Sequence, residues 1–351
     1  MEKKKKIKRP TIRDVALHAN VSTATVSRAL SQSSYPISDE LRERVLLSAK
    51  TLGYAPNAAA QMLRKQTSQE IGLIIPSISN PFYLQAMNGI DSVISSSGQI
   101  LVLLNTQHDV QREREFLAIL QSRNALGAIV SSVDTSPRTI NQYVRRGLKT
   151  VLLDQHLNGA NCTMISTDMR SNGRLAVRHL LELGHRNIAF ATTPLSRWTR
   201  QEIYSGYCET LEDEGIAPNQ DLLFIGEANT QYYPNDVELS AGAMAAEHFI
   251  ERRCEATAIV CINDMVAFGV ISTLKRHGIR VPEDISIIAF DDIPLAGAYC
   301  PPLTTIRYPA EQMGRLAAMM LTDSISNNTG FDALGIQLLP ELMIRQSTAP
   351  V

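Results

Sequence analysis

Several aromatic, charged and amide side chains lie in the segments that follow short apolar runs, where a parallel sheet would gather them at one edge. Phe82 and Tyr83 follow the run Ile71–Ile75, and Asp154 follows Thr150–Leu153. Three further runs are followed by Arg197, Trp198 and Arg200 (after Ile188–Ala191), Asn263 (after Ala258–Cys261) and Asp291 (after Ser286–Phe290). Carboxylates and amides hydrogen-bond ligand hydroxyls, aromatic rings stack on flat ligands, and guanidinium groups bind carboxylate or phosphate. The set predicts a site for a small polar molecule.

Taken singly, each of these residues also fits a structural role, as Asn263 would if it only capped a helix. Two aspartates at strand ends would also suit acid–base catalysis. The sequence nevertheless has no GxGxxG, P-loop, GxSxG or HExxH motif, and its seven histidines are scattered. Its five cysteines form no CxxC pair and have no metal-ligand spacing with histidine. We therefore expect a binding protein with no catalytic residue, no cofactor and no metal.

The apolar runs alternate with amphipathic stretches after residue 70, a pattern typical of parallel sheets covered by helices on both faces. The number of strands predicts two such sheets, whose ligands would bind at the carboxyl ends of the strands. Further strands are predicted at 100–104, 125–130 and 222–225, and helices at 81–96, 111–121, 137–146, 170–183, 202–214, 241–252 and 264–277. The segment after Ile336 is predicted to be a closing strand pair.

Residues 11–30 predict two short helices joined by a tight turn. Thr11 is a candidate N-cap with Asp14 in the capping-box position, and Ser22 is the N-cap of the second helix. The outer face of that helix carries or borders on Thr23, Ala24, Thr25, Ser27 and Arg28. A short polar helix presented in this way fits a DNA major groove, although an ordinary helical hairpin has the same pattern.

Charge is distributed unevenly along the chain. The first 66 residues hold 13 Lys and Arg against 5 Asp and Glu, a net charge of +8, whereas the whole chain is −1 and the remainder therefore −9. This asymmetry is typical of a nucleic-acid-binding head on an acidic body. The lysines at 3–6 are either a phosphate-following arm or a solvated tail. Because no apolar secretory region or membrane-spanning run is evident, we expect a cytoplasmic protein that does not bind membranes.

A third helix is expected between Ser38 and Gly53, completing a small three-helix core. Pro56 then precedes a short Ala-rich helix at 58–64, which Asn57 can cap. A helix of this length is unstable alone, so we expect it to order only when docked on DNA and on its copy in the second subunit. A plain linker is the alternative.

The segment from Thr11 to Arg64 resembles the DNA-binding head of the LacI/GalR family. The matching stretches are DVA, VSTATVSRAL, RERV, LGY and a PN pair ahead of a hinge helix. The resemblance implies that the second helix reads operator bases and that Leu63 wedges between base pairs in the minor groove. The full set of expected DNA contacts is Thr11, Ser22, Thr23, Ala24, Thr25, Ser27, Arg28, Asn57, Ala60, Leu63 and Arg64.

The body resembles the regulatory core of the same family through ISNPF, REREF, LGHRNIAF, INDMVAFG, VPEDISIIAFDDIP and PPLTTI. That core is similar to periplasmic sugar-binding proteins, which implies two lobes, three crossovers and an effector in the cleft. With Thr199 added by the resemblance, the expected effector-binding residues are Phe82, Tyr83, Asp154, Arg197, Trp198, Thr199, Arg200, Asn263 and Asp291. The chain departs from the family at Ile203, where many sugar-responsive members have an arginine. Arg197 and Arg200 are the candidates to replace it.

These patterns predict an all-α helix-turn-helix head and an α/β core of two doubly wound parallel-sheet lobes, like a periplasmic binding protein. The expected domains are the head (1–55), a hinge helix and linker (56–70) and a two-lobe body (71–351), with the first lobe at 71–166 and 293–322 and the second at 167–292 and 323–351. We expect a homodimeric repressor that binds a palindromic double-stranded DNA operator and is controlled by a sugar or sugar acid. A nucleobase-responsive repressor of the same family is the alternative. A sugar-transport receptor, a different class, would need a signal peptide.

Overall fold

A computed structural model describes residues 10–30, 37–54, 68–227, 236–327 and 334–351. The chain divides into two compact units, Met1–Ser68 and Gln69–Val351. We term them the head and the body, and each is a separate structural unit with its own core.

Three helices form the described part of the head, as predicted: α1 Ile12–Ala19, α2 Thr23–Leu30 and α3 Asp39–Leu52. One residue from each helix, Val15, Val26 and Val45, is fully buried in the shared core. Asn20 takes a left-handed conformation, with φ 53°, and so turns the chain sharply between α1 and α2. The head core therefore fixes the orientation of α2 relative to α1 and α3.

Short-range hydrogen bonds set the starts of the first two helices. The Asp14 carboxylate accepts hydrogen bonds from the backbone N–H of Thr11 at 2.7 Å and from its hydroxyl at 2.8 Å. The Ser22 hydroxyl accepts from the backbone N–H of Thr25 at 3.1 Å, which confirms its predicted role as the N-cap of α2. Hydrogen bonds between residues three positions apart are therefore enough to define the N-termini of α1 and α2.

The described strands of the body form two six-stranded sheets. The strands are β1 Glu70–Ile75, β2 Ile100–Asn105, β3 Gly127–Val130, β4 Lys149–Leu153, β5 Thr163–Thr167, β6 Ile188–Thr192, β7 Leu223–Ile225, β8 Ala258–Cys261, β9 Ser286–Asp291, β10 Thr304–Arg307, β11 Gly335–Leu338 and β12 Glu341–Met343. The first sheet has the order β11-β5-β4-β3-β1-β2, and all of its strand pairs are parallel. The second has the order β12-β10-β9-β8-β6-β7, and only the β10–β12 pair is antiparallel. Two parallel-dominated sheets confirm the predicted fold class.

Helices cover the sheets of both lobes. They are α4 Pro81–Ile94, α5 Val110–Ser122, α6 Arg138–Arg145, α7 Met169–Glu182, α8 Trp198–Asp213, α9 Val237–Glu251, α10 Asp264–Arg276, α11 Pro294–Ala298 and α12 Ala310–Asn327. Glycines allow α7 and α8 to touch: a Cβ on Gly206 would lie 2.1 Å from the Arg170 carbonyl oxygen, and one on Gly173 would lie 2.2 Å from that of Ile203. This close crossing fixes α8, whose first turn reaches the site described below.

The structure corrects several predicted elements. Helix α8 begins at Trp198 rather than at 202, so Arg197 and its neighbours form a helix start and not a loop. Strands β5 and β10 were not predicted, because their sequences TMIST and TTIR are rich in hydroxyl side chains and lack the apolar run used to recognise the others. The two terminal strands are not a pair, since β11 joins the first sheet and β12 the second.

The predicted lobe boundaries near the C-terminus are wrong, because β10 was not predicted and the two terminal strands belong to different sheets. The prediction assigned 293–322 to the first lobe and 323–351 to the second, but β10 lies in the second sheet and β11 in the first. The chain crosses between the sheets three times, after β5, after β10 and after β11, as the family resemblance implied.

Candidate ligand-binding cleft and nucleic-acid interface

A cavity of about 40 Å³ lies in the body between the carboxyl ends of strands from both sheets. Eight of the nine predicted effector residues line it: Phe82, Tyr83, Asp154, Arg197, Thr199, Arg200, Asn263 and Asp291. The volume holds roughly three water molecules. A sugar-sized ligand therefore enters only if side chains move or the lobes separate.

Arg197 joins the two lobes across the cleft. It is the N-cap residue of α8 in the second lobe, and it donates to the Tyr83 hydroxyl at 2.8 Å and to the Ser131 hydroxyl at 3.2 Å in the first. Its guanidinium also lies 3.6 Å from the Asp154 carboxylate. Its Nε is buried and has no hydrogen-bond partner among the described residues. The closed cleft thus leaves one donor of this arginine unused.

A second bridge runs through Asn80 of the first lobe. Its amide donates to the Glu238 carboxylate at 3.1 Å and to that of Asp291 at 3.5 Å, both in the second lobe. Glu238 also accepts from Arg200 at 3.3 Å. The Asn80 carbonyl oxygen meanwhile caps α4 by accepting from the N–H of Phe82 at 2.9 Å. One amide therefore both starts a helix and links the lobes.

Burial makes the carboxyl groups of the cleft hard to ionise. Burial raises the pKa of Asp154 to about 6, although the charges of Arg197 and Arg200 oppose the rise. Burial also raises the pKa of Glu238, against the charge of Arg200, and raises that of Asp291 well above its ordinary value, with Asp264 and Glu238 adding to the effect. A protonated carboxyl can donate as well as accept a hydrogen bond, which suits ligand hydroxyls.

Two of these aspartates stand on unusual backbone. Asp154 has φ 53° and Asp291 has φ 109°, a region that side-chain-bearing residues seldom adopt. Backbone strain of this kind is concentrated at binding and catalytic sites, where surrounding contacts hold it in place. The strain therefore supports the assignment of the strand ends as a functional site.

Trp198, the ninth predicted residue, does not line the cavity. Its ring lies 5.5 Å from that of His156, centroid to centroid, so it packs across the lobe boundary beside the cleft. Ile203 does line the cavity and is 3% exposed, while Arg200 stands one helical turn before it on the same face. Arg200 thus brings a guanidinium to the cavity one turn before the position of Ile203.

Several lining residues were not predicted, namely Asn80, Met169, Glu238, Ile262 and Tyr308. Asn80 follows β1 and so meets the criterion used for the predicted residues, namely a position after the carboxyl end of a strand. It is also the N-cap of the next helix, a structural role that can by itself account for an asparagine there. His108, which follows β2, also meets this criterion. Burial and the charges of Arg200 and Arg197 lower its pKa to about 3, which favours the neutral imidazole. Glu238 carries no such signal, because it lies in the first turn of α9.

The outer face of α2 is the second candidate site. Ser22, Thr23, Ala24 and Arg28 are exposed, as is Thr11 at the start of α1. Two predicted contacts, Thr25 and Ser27, are half-buried. The hinge contacts Asn57, Ala60, Leu63 and Arg64 lie outside the described residues, so their roles stay predictions. A row of small side chains ending in one arginine can approach base edges closely.

Neither membrane nor metal features stand out in the described residues. None of the helices there is long and apolar enough to cross a bilayer. The same residues contain no cluster of three or more His, Cys, Asp or Glu that could hold a metal ion.

Comparison with known proteins agrees with this two-part organisation. Residues 11–57 match the family model of bacterial regulatory proteins of the lacI family, and residues 177–348 match that of a periplasmic binding protein-like domain. The chain is 31% identical over 338 residues to the ribose operon repressor of Halalkalibacterium halodurans, covering 96% of this chain and 97% of that one. The chain belongs to the LacI family. It is also 30% identical to the transcriptional repressor PurR of Aliivibrio salmonicida, covering 96% and 98% of the two chains.

Solved structures of LacI-family proteins share the fold. The lac repressor dimer bound to operator and the anti-inducer ONPF is 25% identical and aligns with a TM-score of 0.79, covering 97% of this chain and all of that one. A LacI-family regulator from Enterococcus faecium with bound ribose is 29% identical, with a TM-score of 0.69, and covers 80% of this chain and 99% of its own.

Proposed function

We propose that this LacI-family protein is a transcriptional repressor that binds a near-palindromic operator as a homodimer. The exposed face of α2 would read the major groove, and two-fold symmetry of the dimer would match that of the DNA. Supporting this are the capped, outward-facing α2 and relatives that are named as repressors. The hinge segment, with Leu63 as the minor-groove wedge, would couple the head to the body.

The regulatory ligand binds in the cleft of the body. The observation that carries this is the pair of side-chain bridges, Arg197 to Tyr83 and Asn80 to Glu238, which close a cavity smaller than a sugar. A ligand must replace these contacts or separate the lobes. Either event changes the geometry of the first lobe, and a coupling of about 1–3 kcal/mol to DNA binding would suffice for regulation.

The effector is a sugar or sugar acid. Asn263, Asp291 and Asp154 supply the acceptors and donors that hydroxyl groups need, and Arg197 suits an anionic group. The ribose-bound neighbour is consistent with this class. A nucleobase is the second candidate, favoured by the rings of Phe82, Tyr83 and Tyr308 in the cavity wall and by the relatives named PurR.

Operator affinity measured with and without ligand tests the proposal. The purified chain is first incubated with fragments of its source genome at moderate salt, and we expect a defined site to be enriched over random competitor. Candidate ligands are then added, and a change in affinity of roughly 5- to 150-fold is expected. Its direction decides between induction and co-repression. Equal binding to all fragments would contradict the repressor, and unchanged affinity with a bound ligand would contradict the coupling.

A further inference from the structure

Two arginines of the cleft are buried with only long contacts to carboxylates. Arg197 is 5% exposed and Arg200 is 7% exposed, yet their nearest carboxylate oxygens are 3.6 Å and 3.3 Å away. Charge-assisted arginine–carboxylate bonds are normally about 2.7–2.9 Å long. Elsewhere in the same lobe, Asp292 takes such bonds from Arg345 at 2.6 Å and from Arg307 at 2.7 Å. The ion pairs of the cleft arginines are therefore longer than those made to Asp292.

The start of α8 adds further positive potential at the same place. This 16-residue helix begins at Trp198, has no side-chain cap and has no acidic residue in its first turn. Helix N-termini favour anions because their amides and dipole point toward the site. Burial lowers the pKa of Arg200, and repulsion by the charge of Arg197 lowers it further against the charge of Glu238. An anion between the two guanidinium groups would relieve that repulsion.

The unpartnered Nε of Arg197 is the independent sign that something binds here. Buried donors are almost always paired, and this one, on a residue that lines the cavity, has no acceptor among the described residues. The same cavity is also lined by amides and hard-to-ionise carboxyls, Asn80, Asn263 and Asp291, which suit neutral hydroxyls. The cavity thus combines two guanidinium groups with side chains that can bind hydroxyls.

We propose that the effector is a polyhydroxylated molecule carrying one anionic group, carboxylate or phosphate, which Arg197, Arg200 and the first turn of α8 bind. This inference rests on the proposed function and narrows it. Arg200 then serves as a specificity-determining residue, since it supplies a guanidinium one turn before the isoleucine at position 203. A neutral sugar would offer these arginines hydroxyl oxygens as acceptors but no negative charge.

Titration calorimetry on the full chain tests the proposal with probes matched except for charge. The pairs are an aldonate and its alditol, a hexuronate and its hexose, and a hexose 6-phosphate and its hexose, with hypoxanthine as a further probe. We expect an anionic member to bind at least about 10-fold tighter than its neutral partner. The carboxylate and phosphate arms distinguish the two anionic groups.

Variants then assign the subsite. Arg200→Gln should weaken binding of the anionic probe about 10- to 100-fold, because a hydrogen bond to a charged group is lost, and leave any neutral probe unchanged. Arg186→Gln is the control, since Arg186 lies on the surface paired with Glu214. If Arg200→Gln does not fold, Arg200→Lys should still weaken the anion selectively, because lysine cannot form the bidentate contact.

Failure of the inference and failure of the proposed function give different results. If a neutral sugar or hypoxanthine binds as tightly as every anionic probe and changes operator affinity, the anion subsite is refuted and the repressor stands. Equal loss for anionic and neutral probes in Arg200→Gln likewise refutes the subsite. If no probe binds, or none that binds alters operator affinity, both the subsite and the proposed regulation are refuted.

Discussion

The outer face of α2 and the cleft of the body are built in opposite ways. On α2, the outward side chains are exposed and mostly uncharged, and the bond that starts the helix joins Ser22 to Thr25, three residues apart. In the cleft, charged side chains are buried, and the bonds joining them span 38 residues from Arg200 to Glu238 and 158 from Asn80 to Glu238.

On α2, the side chains that would contact DNA contribute little to stability. In the cleft, the side chains that would contact the ligand also stabilise the body. Exposed substitutions away from caps and cores usually change stability by less than about 0.5 kcal/mol. A substitution on the exposed face of α2, other than at its N-cap Ser22, should therefore alter DNA binding alone. In the cleft, the same arginines and carboxyls hold the lobes together and face the ligand, so a substitution there should alter both.

The largest effect is expected for Arg197→Met. The change removes the ion-pair partner of the buried Asp154 and the donor to Tyr83 and Ser131, so the free energy of unfolding of the body should fall by about 3–5 kcal/mol. Trp198, the single tryptophan of the chain, reports the transition by fluorescence in urea. Arg186→Met, at an exposed ion pair, should change it by at most about 1 kcal/mol. Similar losses in both variants would contradict the structural role.

Asp154→Asn should change how the stability of the body depends on pH. The pKa of Asp154 is about 6 in the folded protein against an ordinary 3.8, so the folded state holds the extra proton between these values. Asp154 therefore makes the body less stable as the pH rises from about 4 to about 6. Asparagine does not titrate. As the pH rises from 4 to 7, the free energy of unfolding of the variant should therefore increase by about 2–3 kcal/mol relative to that of the parent.

The measurement is a series of urea titrations at fixed ionic strength across that range. Asp221→Asn is the control, because the Asp221 side chain is 75% exposed in its ion pair with Arg252. Parallel stability profiles for Asp154→Asn and the parent would show that burial of this carboxyl has no energetic consequence.

The same contrast explains what the sequence could predict. The helices of the head follow from local patterns, because their caps and apolar spacing are complete within a few residues. In the body, Asp154, Asn263 and Asp291 were predicted because parallel strands bring their carboxyl ends to one edge whatever the details of packing. These predictions depend only on local pattern or on sheet topology.

Other features depend on long-range contacts and were missed. Glu238 matters because Arg200 and Asn80 meet it across the lobes, and nothing in its local sequence separates it from an ordinary acidic residue in a first helical turn. Strand β10 is Thr-rich, and only its pairing with β9 and β12 identifies it as part of the second sheet. The closing of the cleft likewise follows only from side-chain positions.

On α2, Arg28→Ala should affect binding and leave folding intact. If Arg28 contacts a guanine edge, specific operator affinity should fall by about 2 kcal/mol, with little change in affinity for random duplex. Arg44→Ala on α3, also exposed, is the control for loss of charge. Fluorescence anisotropy against operator and scrambled duplex makes the comparison. An equal loss of affinity for both duplexes would indicate that Arg28 contacts phosphate and not a base edge.

The smallest effect, on head stability, is expected for Ser22→Ala. The Ser22 hydroxyl accepts from the N–H of Thr25, and loss of an N-cap costs about 1 kcal/mol. Hydrogen exchange of head peptides should therefore accelerate about fivefold, while body peptides and Trp198 fluorescence stay unchanged. Thr23→Ala, one residue later and exposed, should leave head exchange unchanged while altering operator affinity. If Ser22→Ala also loosened the body, the head would not be an independent folding unit, and the separation of recognition from stability on α2 would fail with it.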